Sequence, residues 1–112
     1  IMPNDTVAYP EDSFENMVRT SNEFNFPFPY LLDETQEVAR AYDAVCTPDF
    51  FGYNADLELQ YRGRLDAAGP KSDDDTKERE LFEAMKQVAE SGRGPEHQIP
   101  SMGCSIKWRE TV

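Results

Sequence analysis

Hydrophobic and polar positions alternate most regularly between Phe50 and Arg62. Phe50, Phe51 and Tyr53 form one apolar run, and Leu57, Leu59 and Tyr61 then alternate with Glu58, Gln60 and Arg62. Asn54-Ala55-Asp56 separates the two runs, so the pattern predicts a β-hairpin. Thr47-Pro48 stands just before it. A proline cannot donate to a sheet ladder and belongs at a strand's first residue or in a tight turn, so the hairpin is entered through a proline.

Helical periods flank this stretch. Pro10 suits the first helical position, Glu11 and Asp12 suit the positive end of the helix dipole, and Phe14, Met17 and Val18 recur at i, i+3 and i+4; a helix from Pro10 to Glu23 burying that stripe is expected. Asp33 and Gln36 read as a capping box, with Val38, Ala39, Tyr42 and Val45 on one face of a helix from Glu34 to Tyr42 that delivers the chain to Thr47-Pro48. Leu81, Phe82, Met85, Val88 and Ala89 mark an amphipathic helix from Thr76 to Ser91, closed by Gly92 and covering one face of the sheet. Between the first two helices, FNFPFP (24–29) excludes helix and leads in extended form to a short buried strand, Tyr30-Leu31-Leu32. Residues 1–7 read as the tail of a strand and 67–75 as a solvated loop. Residues 93–112 read as an extended strap, on which Trp108 either docks on the body or faces a partner.

Length and charge narrow the functions. A chain of 112 residues has room for one domain with one modest core, so 1–112 is expected to be a single domain with 93–112 as its tail. The formal net charge of −11 argues against a phosphate backbone as partner, and the FNFPFP aromatics read as packing rather than as a stacking platform for bases. No apolar run is long enough to span a membrane and no export signal is visible, so a cytoplasmic location is expected. His97 is the sole histidine and Cys46 and Cys104 lie far apart in sequence, which offers no zinc set; neither metal nor cofactor is expected. The Asp73-Asp74-Asp75 run lacks the spacing of a calcium loop and reads as a helix N-terminal carboxylate cluster.

Four stretches, in order, resemble thioredoxin-like proteins of the alkyl hydroperoxide reductase and thiol-specific antioxidant (redoxin) group. They are Tyr9-Pro10-Glu11-Asp12-Ser13-Phe14-Glu15-Asn16-Met17; Phe26-Pro27-Phe28-Pro29-Tyr30 running into Asp33-Glu34-Thr35-Gln36-Glu37-Val38-Ala39; Ala44-Val45-Cys46-Thr47-Pro48-Asp49-Phe50-Phe51; and Gly103-Cys104-Ser105-Ile106-Lys107-Trp108. The resemblance implies a thioredoxin-like three-layer α/β/α sandwich, N-terminally truncated, with a cis-proline loop at Thr47-Pro48 leading into the antiparallel hairpin. It implies thiol–disulfide or peroxide chemistry on a Cys-x-x-Cys, a motif this chain lacks, so the chain by itself is expected to be inactive.

The resemblance places substrate pairing on Thr47 and Pro48. It leaves Cys46, two residues before the proline, and Cys104, in the tail, as accessory or resolving thiols at most. Against this stand the plainer readings of Cys46 as an inert small hydrophobe and of the proline as a fold-shaping turn. A Cys46–Cys104 disulfide stays open. Arg62 and Arg64 could steer an anionic substrate, but ordinary ion pairs are the expectation on so acidic a surface. A different class of function is a non-catalytic interaction module: a sheet short of a strand leaves an open edge, and a homo-oligomer formed through it is expected.

Overall fold

The computed structural model describes residues 1–67 and 78–110. The chain is mixed α/β, with short two-stranded sheets. A single turn of 3-10 helix, Pro10–Asp12, precedes α1 (Phe14–Glu23) and α2 (Glu37–Ala41); β1 (Cys46–Thr47), β2 (Phe50–Tyr53) and β3 (Leu59–Gly63) follow, then α3 (Glu80–Ser91) and β4 (Cys104–Ser105). Two compact units emerge, Cys46–Cys104 on the one hand and residues 1–45 with the chain from Ser105 on the other. No helix among the described residues is long and apolar enough to cross a membrane.

In the Cys46–Cys104 unit, β2 and β3 pair antiparallel from Phe50↔Gly63 to Tyr53↔Leu59, with an irregularity after Gly52. The predicted hairpin is present. Its turn is built by Asn54, whose side-chain oxygen accepts from the amides of Asp56 and Glu58, both at 3.0 Å, an Asx-type arrangement. Leu57 adopts a positive φ of 61° in that turn and is exposed, so the alternation that began at Leu57 becomes strand only from Leu59. Tyr61 is fully buried and donates its hydroxyl to the Arg64 carbonyl at 2.6 Å.

Against this hairpin lies α3, with Ala84 and Val88 buried and the Met85 sulfur filling the space that a side chain at Gly52 would need. The buried stripe therefore runs through Ala84 rather than Ala89, and Phe82 is exposed. α3 begins at Glu80, where the Leu81 amide donates to Leu65 O at 3.2 Å and Arg64 pairs with the Glu80 carboxylate. Gly92 closes it in the left-handed region, φ 77°, donating to Val88 O, as glycine does at a helix end. The expected Thr76 start and the Asp73–Asp75 cluster lie outside the described residues. The strap that follows is extended and lies along β3: Gln98 donates to Gln60 O at 2.8 Å and accepts from the Arg62 amide at 2.9 Å, so one side-chain amide substitutes for a neighbouring strand.

The other unit holds α1 and α2 but little strand pairing. Met2 and Leu32 form one isolated parallel bridge, so the short buried strand expected at Tyr30-Leu31-Leu32 is reduced to a single pairing, with Leu31 exposed. Proline at 27 and 29 removes the donors a longer ladder needs. The preceding aromatics stack on one another instead, Phe26 against Phe28 at 4.8 Å and edge-on to Tyr30 at 5.3 Å.

Helix boundaries also differ from the periodic reading. α1 starts at Phe14 because Ser13 caps it, its Oγ accepting from the Asn16 amide at 3.2 Å, and only Met17 of the expected stripe is buried. The Asp33–Gln36 capping box is not formed. Asp33 instead caps α2 further along, accepting from Val38 N and Ala39 N, while Gln36 sits in the left-handed region, φ 64°. Its buried side-chain amide donates to Pro3 O at 2.7 Å and Lys107 O at 3.0 Å and accepts from Arg109 N at 2.9 Å. Trp108 docks within this unit under the Arg40 guanidinium, 4.4 Å from its ring centre.

Candidate functional site

The proline loop and the end of the strap form the candidate site, all within the Cys46–Cys104 unit. The Thr47-Pro48 peptide is cis. β1 pairs with β4, which sets Cys46 and Thr47 beside Cys104. Gly103 lies so close that a Cβ there would run into the Thr47 carbonyl; only glycine permits that approach. The Cys46 sulfur sits 3.8 Å from Pro48 O and 3.9 Å from Ser101 O.

Asp49 fixes the far side of the loop. One carboxylate oxygen accepts from the Ser101 hydroxyl at 2.9 Å and the other from Arg62 Nε and Nη2, each at 3.3 Å. The Ser101 hydroxyl is also 2.7 Å from Gly63 O, so one proton serves two acceptors. Asp49's side chain is 6% exposed, which makes Arg62–Asp49 a largely buried pair, whereas Arg62 keeps 38% of its side chain in solvent above the Phe51 ring. Both arginines weighed for anion steering are thus in ion pairs, Arg62 with Asp49 and Arg64 with Glu80.

These neighbours decide what Cys46 can do. Burial pushes its thiol above the ordinary value and the Asp49 charge adds to that; Arg62 and the Gly103 amide pull the other way without reversing it. A thiol held protonated at neutral pH is a poor nucleophile. Cys104 is exposed, and both cysteines are free thiols, so the disulfide left open by the sequence is not formed. The structure gathers Cys46, Thr47, Pro48 and Cys104 at one place. Periodicity gave no signal for Asp49, Ser101 and Gly103, whose contacts are long-range and run through side-chain oxygens or a missing Cβ.

A separate cleft of about 430 Å³ beside α3 is lined by Tyr61, Glu80, Glu83, Lys86, Glu90 and His97, among others. One Glu80 carboxylate oxygen there is buried with no hydrogen-bond partner. Among the described residues, no three His, Cys, Asp or Glu side chains gather in a metal-holding arrangement.

No known family profile and no curated protein matches the chain. Solved structures do. A crystal structure of an uncharacterized conserved protein from Geobacillus kaustophilus is similar at a TM-score of 0.87 with 50% identity, over 97% of this chain and 58% of that one. A hypothetical protein from Sinorhizobium meliloti 1021 is similar at a TM-score of 0.88 with 39% identity, over 96% of this chain and 59% of that one. The chain therefore spans about six tenths of the length of each solved protein it is similar to.

Proposed function

We propose that this chain is the proline-loop portion of a thioredoxin-like, redoxin-type protein that reduces disulfides or hydroperoxides, with a three-layer α/β/α sandwich as the fold of the whole. The observation that carries the reading is the order of elements around the loop: α2 leads to β1 and Thr47-Pro48, then an antiparallel hairpin, then a helix packed on that hairpin. A half-buried thiol next to the loop, and solved relatives that extend well beyond the matched region, fit the same reading.

In this account the reacting pair is a Cys-x-x-Cys supplied outside residues 1–112. Its two thiols form one S–S bond, giving two electrons and two protons either to a disulfide, which leaves as two thiols, or to a hydroperoxide, which leaves as an alcohol and water. Thr47 and Pro48 border the substrate, while Cys46 and Cys104 act as accessory or resolving thiols.

The test is the full gene product. A Cys-x-x-Cys following a strand pattern ahead of Ile1, with dithiol-dependent turnover of a disulfide or a hydroperoxide, is expected. A full product without that motif and without turnover overturns the reading. The alternative, a non-catalytic module that self-associates through an open sheet edge, has to use an edge other than that of β3. There Gln98 and the Ile99 carbonyl already hold the backbone of Gln60, Arg62 and Arg64.

A further inference from the structure

We infer that the strap residues Ser101–Cys104 occupy, from within the same chain, the backbone edge of β1 on which an extended peptide would otherwise pair. The site then admits small diffusible substrates and excludes polypeptide chains. The inference rests on the redox reading above for the site's identity, and names its substrate class.

Strand addition is the common way an extended peptide binds a sheet: its backbone bonds to an exposed edge and alternate side chains enter pockets. β1 is only two residues long, and its partner strand is β4, from the chain's own tail. The ladder continues one step beyond, where the Ile106 amide donates to Val45 O at 3.0 Å.

Several independent features hold the tail in place. Gly103 approaches the Thr47 carbonyl more closely than any residue with a side chain could. Two residues earlier, the Ser101 hydroxyl is held between Asp49 and Gly63 O. A peptide pairing along the edge of β1 that faces the tail must displace these, whereas a small disulfide or hydroperoxide needs no backbone edge at all.

The experiment uses the 112-residue chain and a fluorescein-labelled six-residue Val/Thr/Ser peptide, which has no thiol and so reports pairing without redox chemistry. Anisotropy is measured for the parent chain, for Gly103→Val, which forces the tail off Thr47, and for Ser101→Ala, a milder release that leaves the glycine in place. Exchange of the Ile106 amide reports whether the tail has lifted, and exchange of the Gly92 amide at the end of α3 reports whether the fold is intact.

The expected result is no binding to the parent chain up to about 1 mM peptide. In whichever variant shows faster Ile106 exchange with Gly92 unchanged, binding should be at least about tenfold tighter. Binding to the parent as tight as to the opened variant overturns the inference, because the edge is then not covered. An opened variant that still fails to bind overturns it too, because Thr47 is then not a peptide edge. Neither result bears on turnover by the full gene product, so failure here is distinct from failure of the redox reading.

Discussion

The two units are held together by different physics. In the Cys46–Cys104 unit the residues buried as a whole are apolar or aromatic, Tyr61, Ala84 and Val88, packed between a strand ladder and a three-turn helix, and Asp49 adds one buried carboxylate. In the other unit Met2, Met17, Ala39 and Ile106 share the interior with three polar residues, Asp5, Asp33 and Gln36. There side chains such as Gln36 and Asp33 hold backbone groups that lie outside regular ladders. One unit is packed and the other is tied.

The largest effect is expected where packing dominates. Tyr61→Ala removes the most buried side chain of the hairpin together with its bond to Arg64 O, and should destabilise by about 3–5 kcal/mol. Urea-dependent amide exchange in β3 and α3 measures it. A loss below about 1 kcal/mol would erase the distinction between the units.

Next comes the central tie. Gln36→Leu keeps the bulk but strands two carbonyls and one amide, and a cost of about 2–4 kcal/mol is expected. If the unit were held by packing instead, leucine would be neutral or stabilising. Asp33→Ala removes the carboxylate that holds Val38 N and Ala39 N, for about 1–2 kcal/mol. Amide exchange at Val38 and Ala39 should rise while that of α3 does not.

The same contrast explains what the sequence revealed. The hairpin and α3 were legible because ladder and helix each impose a period, and the residues at Phe50–Tyr53, Leu59–Gly63 and Leu81–Val88 follow it. Gln36 fits half of a capping box by its spacing from Asp33, yet its partners lie more than thirty and seventy positions away. Phe14 and Val18 fit a helical stripe but are exposed in the structure. At the site, Thr47-Pro48 is legible as the proline entry to the hairpin, while Cys46 and the Gly103–Cys104 segment are marked by resemblance. Asp49 and Ser101, which tie them together, carry no local pattern that a one-dimensional reading can detect.

The redox account depends on Cys46 being an accessory thiol and not the nucleophile, and the pH dependence of its alkylation tests this directly. Burial first, and Asp49 second, raise its pKa in the folded chain. The stability this proton confers is complete below the ordinary thiol pKa and is lost as pH rises through the raised value. With Cys104→Ser as background, so that Cys46 alone reports, iodoacetamide should react slowly at pH 7 and accelerate only above the ordinary thiol range. Fast alkylation already at pH 7, with a midpoint below that of a free cysteine, would make Cys46 a reactive thiolate and contradict the account.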